Sequence, residues 1–345
     1  MRQTNTVWRL SCLCPLLAAC LGWAAQAQPA APTPAPESPS RALVRASDAV
    51  IGVQTQAVEN ARSSAALGPR RQGSGVVIGN DGLVLTIGYL VLEAQSIELR
   101  PDDGRRIPAR LVAYDMATGF GLVQALAPLK LEPVPLGDAA AAQANEPLMV
   151  ASGGEGGSVT LARLVSQRAF SGYWEYHIES ALFTAPPRGD HSGAGLFNSR
   201  GELIGIGSLL VADAAGADKP RLPGNMFVPI DLLKPVLAEL RERGSSRAST
   251  RAWLGLNCVE IDGQVRVLRV NDDSPADVAG LQVGDRVARI DGTEVTSLSQ
   301  LWKALWAGGA PERAVTLEIL RDGRPQTLVV QSVDRAKTLR RAEGI

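Results

Sequence analysis

Short apolar runs, separated by turn-forming residues, fill the chain from about residue 49 to residue 206. Residues 73–78 and 83–86 are β-rich and flank the turn Gly79-Asn80-Asp81-Gly82, which is the pattern of a β-hairpin. Runs of the same kind recur at residues 49–53, 96–99, 109–113, 121–124, 148–151, 196–197 and 202–206. Many short strands at close intervals predict a mainly β domain, either a barrel or a sandwich.

A helical pattern follows the last of these strands. Leucines and a valine recur at helical spacing and predict a helix over residues 232–243, with Pro235 in its first turn. Residues 244–251 are polar and predict a linker to a second, smaller domain. The first predicted domain therefore covers residues 46–243 and the second covers residues 252–335, with a polar tail at residues 336–345.

The second domain reads as a small α+β unit. Ser274 and Pro275 are typical of a helix start, and Gly280 of its end. The segment Ser297-Leu298-Ser299-Gln300 is a capping box that predicts a second helix. Strands are predicted at residues 315–320 and 326–330, on either side of a turn.

Residues 1–27 have the pattern of an export signal, with a charged start and an uninterrupted apolar stretch. Three interpretations are open: cleavage after Ala27, which leaves Gln28 as the mature N-terminus, lipidation of Cys20 in a lipobox-like segment, or retention as an anchor. Residues 28–45 are rich in alanine and proline and predict a linker. The expected location is the periplasm or cell envelope.

The amino-acid composition limits which partners, disulfides and metal or cofactor sites are expected. Lysine plus arginine and aspartate plus glutamate both number 35, so no strongly basic face is expected and nucleic acid is excluded as a partner. Three of the four cysteines lie in residues 1–27, which leaves Cys258 without a disulfide partner in the mature chain. With only two histidines as well, neither a metal site nor a cofactor is predicted.

The order of these segments resembles the HtrA family of trypsin-like serine proteases over residues 49–333. Residues 253–256, 274–281, 284–287 and 290–292 resemble a bacterial PDZ domain, and residues 72–78, 150–160, 192–196 and 201–206 resemble the protease scaffold. The resemblance implies a trypsin-like double β-barrel followed by one PDZ domain, a role in envelope protein quality control, and a homo-oligomer as a family-level expectation.

The catalytic positions depart from the family pattern. The resemblance places Ser192 at the nucleophile position, but Tyr89 at the position of the histidine base and Gly119 at that of the aspartate. Asp115 matches an acidic residue that is not catalytic in the family. One extra residue before the serine moves the second oxyanion donor onto Asp190.

These departures favour a pseudoprotease, because a protonated phenol is a poor general base. His191 adjoins Ser192 but points to the opposite face of an extended chain. The alternative is a serine endopeptidase with an atypical constellation around Ser192. A ligand or metal sensor that uses the vacated cleft, for example through His177 and His191, is a third interpretation.

The PDZ resemblance implies a peptide-binding site. Backbone N–H groups of Leu254, Gly255 and Leu256 are expected to bind a C-terminal carboxylate, and the peptide is expected to add as a strand. Leu256, Leu298 and Leu301 are expected to line the pocket for the last side chain. Partners would be C-terminal peptides or unfolded envelope proteins. A well-packed strand that binds no peptide is the alternative interpretation of this loop.

Overall fold

The computed structural model describes residues 38–340. The predictions for the export signal, for Cys20, for the cleavage site at Ala27 and for residues 28–37 lie outside this range. The part of the predicted linker from residue 39 to residue 45 is wrong, because it belongs to helix α1 (Pro39–Asp48). Ser38 caps this helix, and Ala42 and Ala46, one turn apart, bury their methyl groups.

Two closed β-barrels follow, so the predicted mainly β, trypsin-like double barrel is confirmed. The first has the strand order β1-β2-β3-β6-β5-β4 and includes two short helices, α2 and α3. Its elements are β1 (Val50–Ala57), α2 (Ser64–Leu67), β2 (Arg70–Val77), β3 (Leu83–Ile87), α3 (Gly88–Val91), β4 (Ala94–Arg100), β5 (Ile107–Tyr114) and β6 (Phe120–Ala125).

The second barrel has the order β10-β11-β12-β9-β8-β7. Its strands are β7 (Pro147–Ala151), β8 (Val159–Ser171), β9 (His177–Ala185), β10 (Gly195–Phe197), β11 (Leu203–Val211) and β12 (Gly224–Pro229). Valine, leucine, isoleucine and phenylalanine side chains of both barrels fill the interior. The interface between the barrels brings together residues that are distant in sequence.

The helix predicted over residues 232–243 begins later than expected. A 3₁₀ turn covers Ile230–Leu232, and helix α4 spans only Leu237–Arg243. Pro235 lacks a backbone N–H and disfavours a helical conformation at the residue before it, so the helix starts after the proline. The predicted linker at residues 244–251 is held to the first barrel, because the buried hydroxyls of Ser246 and Ser249 both donate to Asp115.

The last domain is a five-strand path β14-β15-β16-β18-β19, with β17 paired to β16, together with two helices and a separate β13-β20 pair. Trp302, on α6, is fully buried in its own hydrophobic core. The elements are β13 (Ala252–Trp253), β14 (Leu256–Ile261), β15 (Gln264–Val270), α5 (Pro275–Val278), β16 (Arg286–Ile290), β17 (Thr293–Glu294), α6 (Leu298–Ala307), β18 (Ala314–Arg321), β19 (Arg324–Gln331) and β20 (Val333–Asp334).

A 3₁₀ turn at Arg335–Thr338 follows β20 and covers the beginning of the predicted polar tail. Within residues 38–340, no helix is both long enough and apolar enough to cross a membrane.

Candidate functional site

Tyr89 and Ser192 meet between the two barrels. Tyr89 lies on α3, directly after β3, and Ser192 lies in the loop that precedes β10. The Tyr89 hydroxyl oxygen is 2.8 Å from Ser192 Oγ and 2.9 Å from the carbonyl oxygen of Ser208. The structure therefore brings together the residues at the predicted nucleophile and base positions, although they are 103 positions apart in sequence.

The proton arrangement in this cluster follows from the donors available. A phenol has one proton, and the Ser208 carbonyl can only accept. Both contacts are satisfied when Tyr89 donates to Ser208 and the Ser192 hydroxyl donates to the Tyr89 oxygen. Burial raises the pKa of Tyr89 to about 12, and its hydrogen bond with Ser192 opposes this only in part. Ser192 therefore faces a neutral phenol.

Gly119, at the position of the acid, has no side chain and is held in a conformation that suits glycine. Its φ is +83°, its N–H donates to Asp115 O at 2.7 Å, and its carbonyl accepts from Gly88 N at 2.7 Å. A Cβ added here would lie 3.2 Å from the hydroxyl of Tyr176. That hydroxyl donates to Thr118 O at 2.5 Å. The side chain of Tyr176, from the second barrel, thus occupies the space that a side chain at position 119 would need.

The loop before Ser192 is fixed by an ion pair. Arg188 Nη2 is 2.5 Å from Asp190 Oδ2, and Ser152 Oγ donates to the same carboxylate at 2.5 Å. The hydrogen bonds from Arg188 hold the pKa of Asp190 well below its usual range. Arg188 also donates to Val150 O at 3.1 Å. The loop before Ser192 is therefore bound to the neighbouring strands through Arg188 and Asp190.

The two histidines have other partners. His191 Nδ1 is 3.0 Å from Arg188 O, and His177 Nδ1 is 2.8 Å from Ser171 Oγ. Burial lowers the pKa of His177, although Glu179 lies beside it. Both rings thus form hydrogen bonds with groups other than Ser192. Residues 38–340 hold no group of three or more His, Cys, Asp or Glu side chains placed for a metal ion.

The loop that was predicted to bind a peptide carboxylate binds the side-chain carboxylate of a glutamate from the same chain. The N–H groups of Leu254, Gly255 and Leu256 donate to Oε1 of Glu175 at 3.1, 2.7 and 3.0 Å. Glu175 lies between β8 and β9 of the second barrel, and only 5 % of it is exposed. Burial raises the pKa of Glu175 to about 7, against the opposing effect of these hydrogen bonds and of Arg335.

The residues before Glu175 lie along β14. Trp174 forms an antiparallel bridge with Asn257, and the carbonyl of Tyr173 accepts from Cys258 N–H at 2.6 Å. The indole N–H of Trp302, on α6, donates to the carbonyl of Gly172 at 3.0 Å. The loop between β8 and β9 therefore occupies the groove between β14 and α6.

Leu298 and Leu301, the other residues predicted for the peptide site, lie at the start of α6. Leu298 is partly buried, and its N–H donates to Glu260 at 3.1 Å. Leu301 is fully buried in the domain core. Sequence reasoning missed Glu175 and its neighbours. The available signal was a cluster of aromatic residues around one acid, Tyr173-Trp174-Glu175-Tyr176, where two β-rich runs predict a turn.

Comparisons with known families agree with this domain order. The family described as "Trypsin-like peptidase domain" matches residues 73–206, and the family described as "PDZ domain" matches residues 252–331. The fold defines a trypsin-like peptidase domain followed by a single PDZ domain. The chain is therefore similar to HtrA-type proteins, which combine a trypsin-like peptidase domain with a PDZ domain.

Curated relatives are similar over most of this chain. The "Putative serine protease HhoA" of Synechocystis sp. is 28% identical over 76% of this chain and 70% of its own length. A "Probable periplasmic serine endoprotease DegP-like" of Hahella chejuensis is 26% identical over 75% of this chain and 56% of its own length. The chain thus spans little more than half the length of the DegP-like relatives it matches.

Solved structures share the fold. The HtrA-type protease AlgW, solved with a decapeptide, superposes with a TM-score of 0.54 at 21% identity, covering 87% of this chain and 99% of that one. The serine endoprotease from Yersinia pestis superposes with a TM-score of 0.53 at 24% identity, covering 87% of this chain and 98% of that one.

Proposed function

We propose that this protein is a pseudoprotease of the cell envelope, which acts by binding the C-termini of peptides or proteins through its PDZ domain. The observation that carries the proposal is the contact between Ser192 and the Tyr89 phenol, in the place where a serine protease has its base. The periplasmic location rests on the names of the relatives.

The chemistry of a serine protease supports this conclusion. A base must take the proton of the serine as the hydroxyl attacks the substrate. With a pKa of about 12, only about one Tyr89 in 10⁵ is ionised at pH 7. The neutral phenol oxygen has almost no affinity for a second proton. Gly119 offers no carboxylate to orient a base, even if one were present.

The serine endopeptidase remains the second candidate, because Ser192 is retained at the nucleophile position between the barrels. Activity would then require a proton acceptor other than His177 and His191, whose ring nitrogens contact Ser171 and Arg188. It would also require that Asp190, held by Arg188, leave its N–H free for an oxyanion.

Peptide binding is supported by the behaviour of the PDZ loop. Three successive backbone N–H groups converge on one carboxylate, as binding of a free C-terminus requires. The strand that follows accepts a further chain segment in antiparallel orientation. AlgW, which has a similar fold, was solved with a decapeptide and with a tripeptide.

A fluorophosphonate probe tests the absence of catalysis, because it reacts with activated serine nucleophiles. The purified chain should not be labelled at pH 7 to 8, whereas trypsin under the same conditions should be labelled fully. Ser192→Ala is the matched control. Labelling of the unmodified chain that disappears in Ser192→Ala would contradict the pseudoprotease and favour the endopeptidase.

A further inference from the structure

The PDZ groove of this protein is occupied by a segment of its own chain, residues 173–175, which we call the internal ligand. Its carboxylate comes from the Glu175 side chain and takes three N–H donors of the loop before β14. The carbonyl of Tyr173 accepts from Cys258 N–H and Trp174 forms a bridge with Asn257, so the segment lies along the edge of β14.

The polarity of the internal ligand matches that of a bound C-terminus. The segment runs antiparallel to β14, and its carboxylate end reaches the loop of Leu254, Gly255 and Leu256. In β-strand addition, a peptide presents its terminal carboxylate to backbone N–H groups in this direction. Here the main chain continues to Tyr176, and the side chain of Glu175 supplies the charge instead of a chain end.

We propose that the internal ligand competes with partner C-termini for the PDZ groove, so that a partner binds only when residues 173–175 withdraw. This inference rests on the proposed function of the PDZ domain. An incoming peptide would return a carboxylate to the same three donors, so exchange leaves no backbone N–H unpaired. Glu175 would regain water, which its burial now denies it.

Two features make withdrawal of the internal ligand compatible with the fold. The segment is the tip of a hairpin between β8 and β9, and 54% of Tyr173 is already exposed. The PDZ domain has its own hydrophobic core, separate from the barrel cores, which does not include residues 173–175. Because the competitor is tethered, partner affinity is reduced by the fraction of molecules in which the groove is open.

Calorimetric titration of the full chain tests the proposal. The probes are decapeptides with a polar body that end in leucine, valine or phenylalanine, each as a free acid and as an amide. Glu175→Ala removes the acceptor of the internal ligand, so that the occupied groove would leave the three N–H groups of the loop unpaired. We expect it to bind at least one free-acid peptide about tenfold more tightly than the unmodified chain, with the amides bound more weakly.

Glu179→Ala is the matched control. Glu179 lies on β9, is exposed, and pairs with Lys303 of α6 at 2.8 Å, so its loss removes a charge and a contact between the domains but leaves the loop intact. It should bind peptide as the unmodified chain does. Equal, measurable affinity of Glu175→Ala and the unmodified chain would overturn the internal ligand and leave peptide binding standing. No binding by any variant would overturn both.

A reversible cross-link provides a second test that keeps Glu175. Trp174 and Asn257 are directly opposite in an antiparallel pair, a spacing that suits a disulfide. In a Cys258→Ala background, the variant Trp174→Cys, Asn257→Cys should lose peptide binding when oxidised and regain it when reduced. Undiminished binding by the oxidised form, with the bond verified by peptide mapping, would overturn the proposal.

Discussion

Peptide binding by the full chain should become tighter as the pH rises from about 5 to 8. When the internal ligand lies in the groove, burial raises the pKa of Glu175 to about 7. When the segment withdraws into water, the pKa should return to the ordinary glutamate value of about 4.5. The closed form, in which the internal ligand occupies the groove, therefore holds the proton of Glu175 more tightly. Protonation of Glu175 favours this closed form.

The sign and size follow from this difference. The extra stability of the closed form is fully present below about pH 4.5 and is lost as the pH rises through about 7. The two pKa values differ by an amount equivalent to roughly 3 kcal/mol, taken as an upper limit. Over pH 5 to 8 this corresponds to a change in apparent affinity on the order of tens of fold.

Other charged and titratable groups lie near Glu175 and could contribute to the pH dependence. Arg335 Nη1 donates to the Glu175 carbonyl oxygen at 3.3 Å, and burial raises the pKa of Cys258 so that its thiol stays neutral. Burial lowers the pKa of His177, the histidine nearest to Glu175 in the sequence. The remaining charged and titratable groups near this region are Tyr176 on the same hairpin, Glu179 on β9, Arg251 before β13 and Lys303 on α6.

Calorimetric titration at pH 5, 6, 7 and 8 with one free-acid decapeptide measures the effect, since the peptide carboxylate stays ionised throughout. Glu175→Gln should give an affinity that is nearly independent of pH. A slope of the same size in this variant would assign the effect to His177 or to the peptide. An affinity that falls as the pH rises would refute the reasoning.

Two further predictions concern the region around Ser192. Tyr89→Phe should lower the free energy of unfolding by about 1–3 kcal/mol in urea denaturation, because the carbonyl of Ser208 loses its donor, and an unchanged stability would show that this contact is weak. Gly119→Asp should lower it by about 1–3 kcal/mol without creating fluorophosphonate labelling, because φ is +83° and a Cβ approaches the hydroxyl of Tyr176. Gly119→Ala is the control for the cost of placing any side chain on this backbone conformation. Fluorophosphonate labelling of Gly119→Asp would mean that a carboxylate at this position is sufficient to restore the reactivity of Ser192.

Local patterns in the sequence predicted much of the fold. The runs around Gly79-Asn80-Asp81-Gly82 form strands β2 and β3 in antiparallel register, because the turn and the apolar alternation specify the same hairpin. Ser274, Pro275 and Ser297 begin helices α5 and α6 as their capping chemistry predicts. These signals act over a few residues and can be read without knowing the rest of the chain.

At two places the local sequence allowed more than one structure, and contacts with distant residues or a proline decided which one forms. Pro235 was compatible with the first turn of a helix, but the chain forms a 3₁₀ turn and begins α4 after the proline. The alanines before residue 46 looked like linker, yet Ala42 packs closely against Gly201, 159 positions away, and this packing holds the helix. Small residues gain stability from a partner surface that composition does not reveal.

The sequence by itself determined the residue types at the predicted positions: tyrosine and glycine where the resemblance places the base and the acid, and a loop that is expected to bind a carboxylate. Only the tertiary structure decided what these groups meet. Glu175 is about 80 positions from the loop that binds it, and the aromatic residues beside it in the sequence do not indicate which loop its carboxylate meets. Long-range pairing depends on how the barrel and the PDZ domain pack, and that packing is a property of the whole chain.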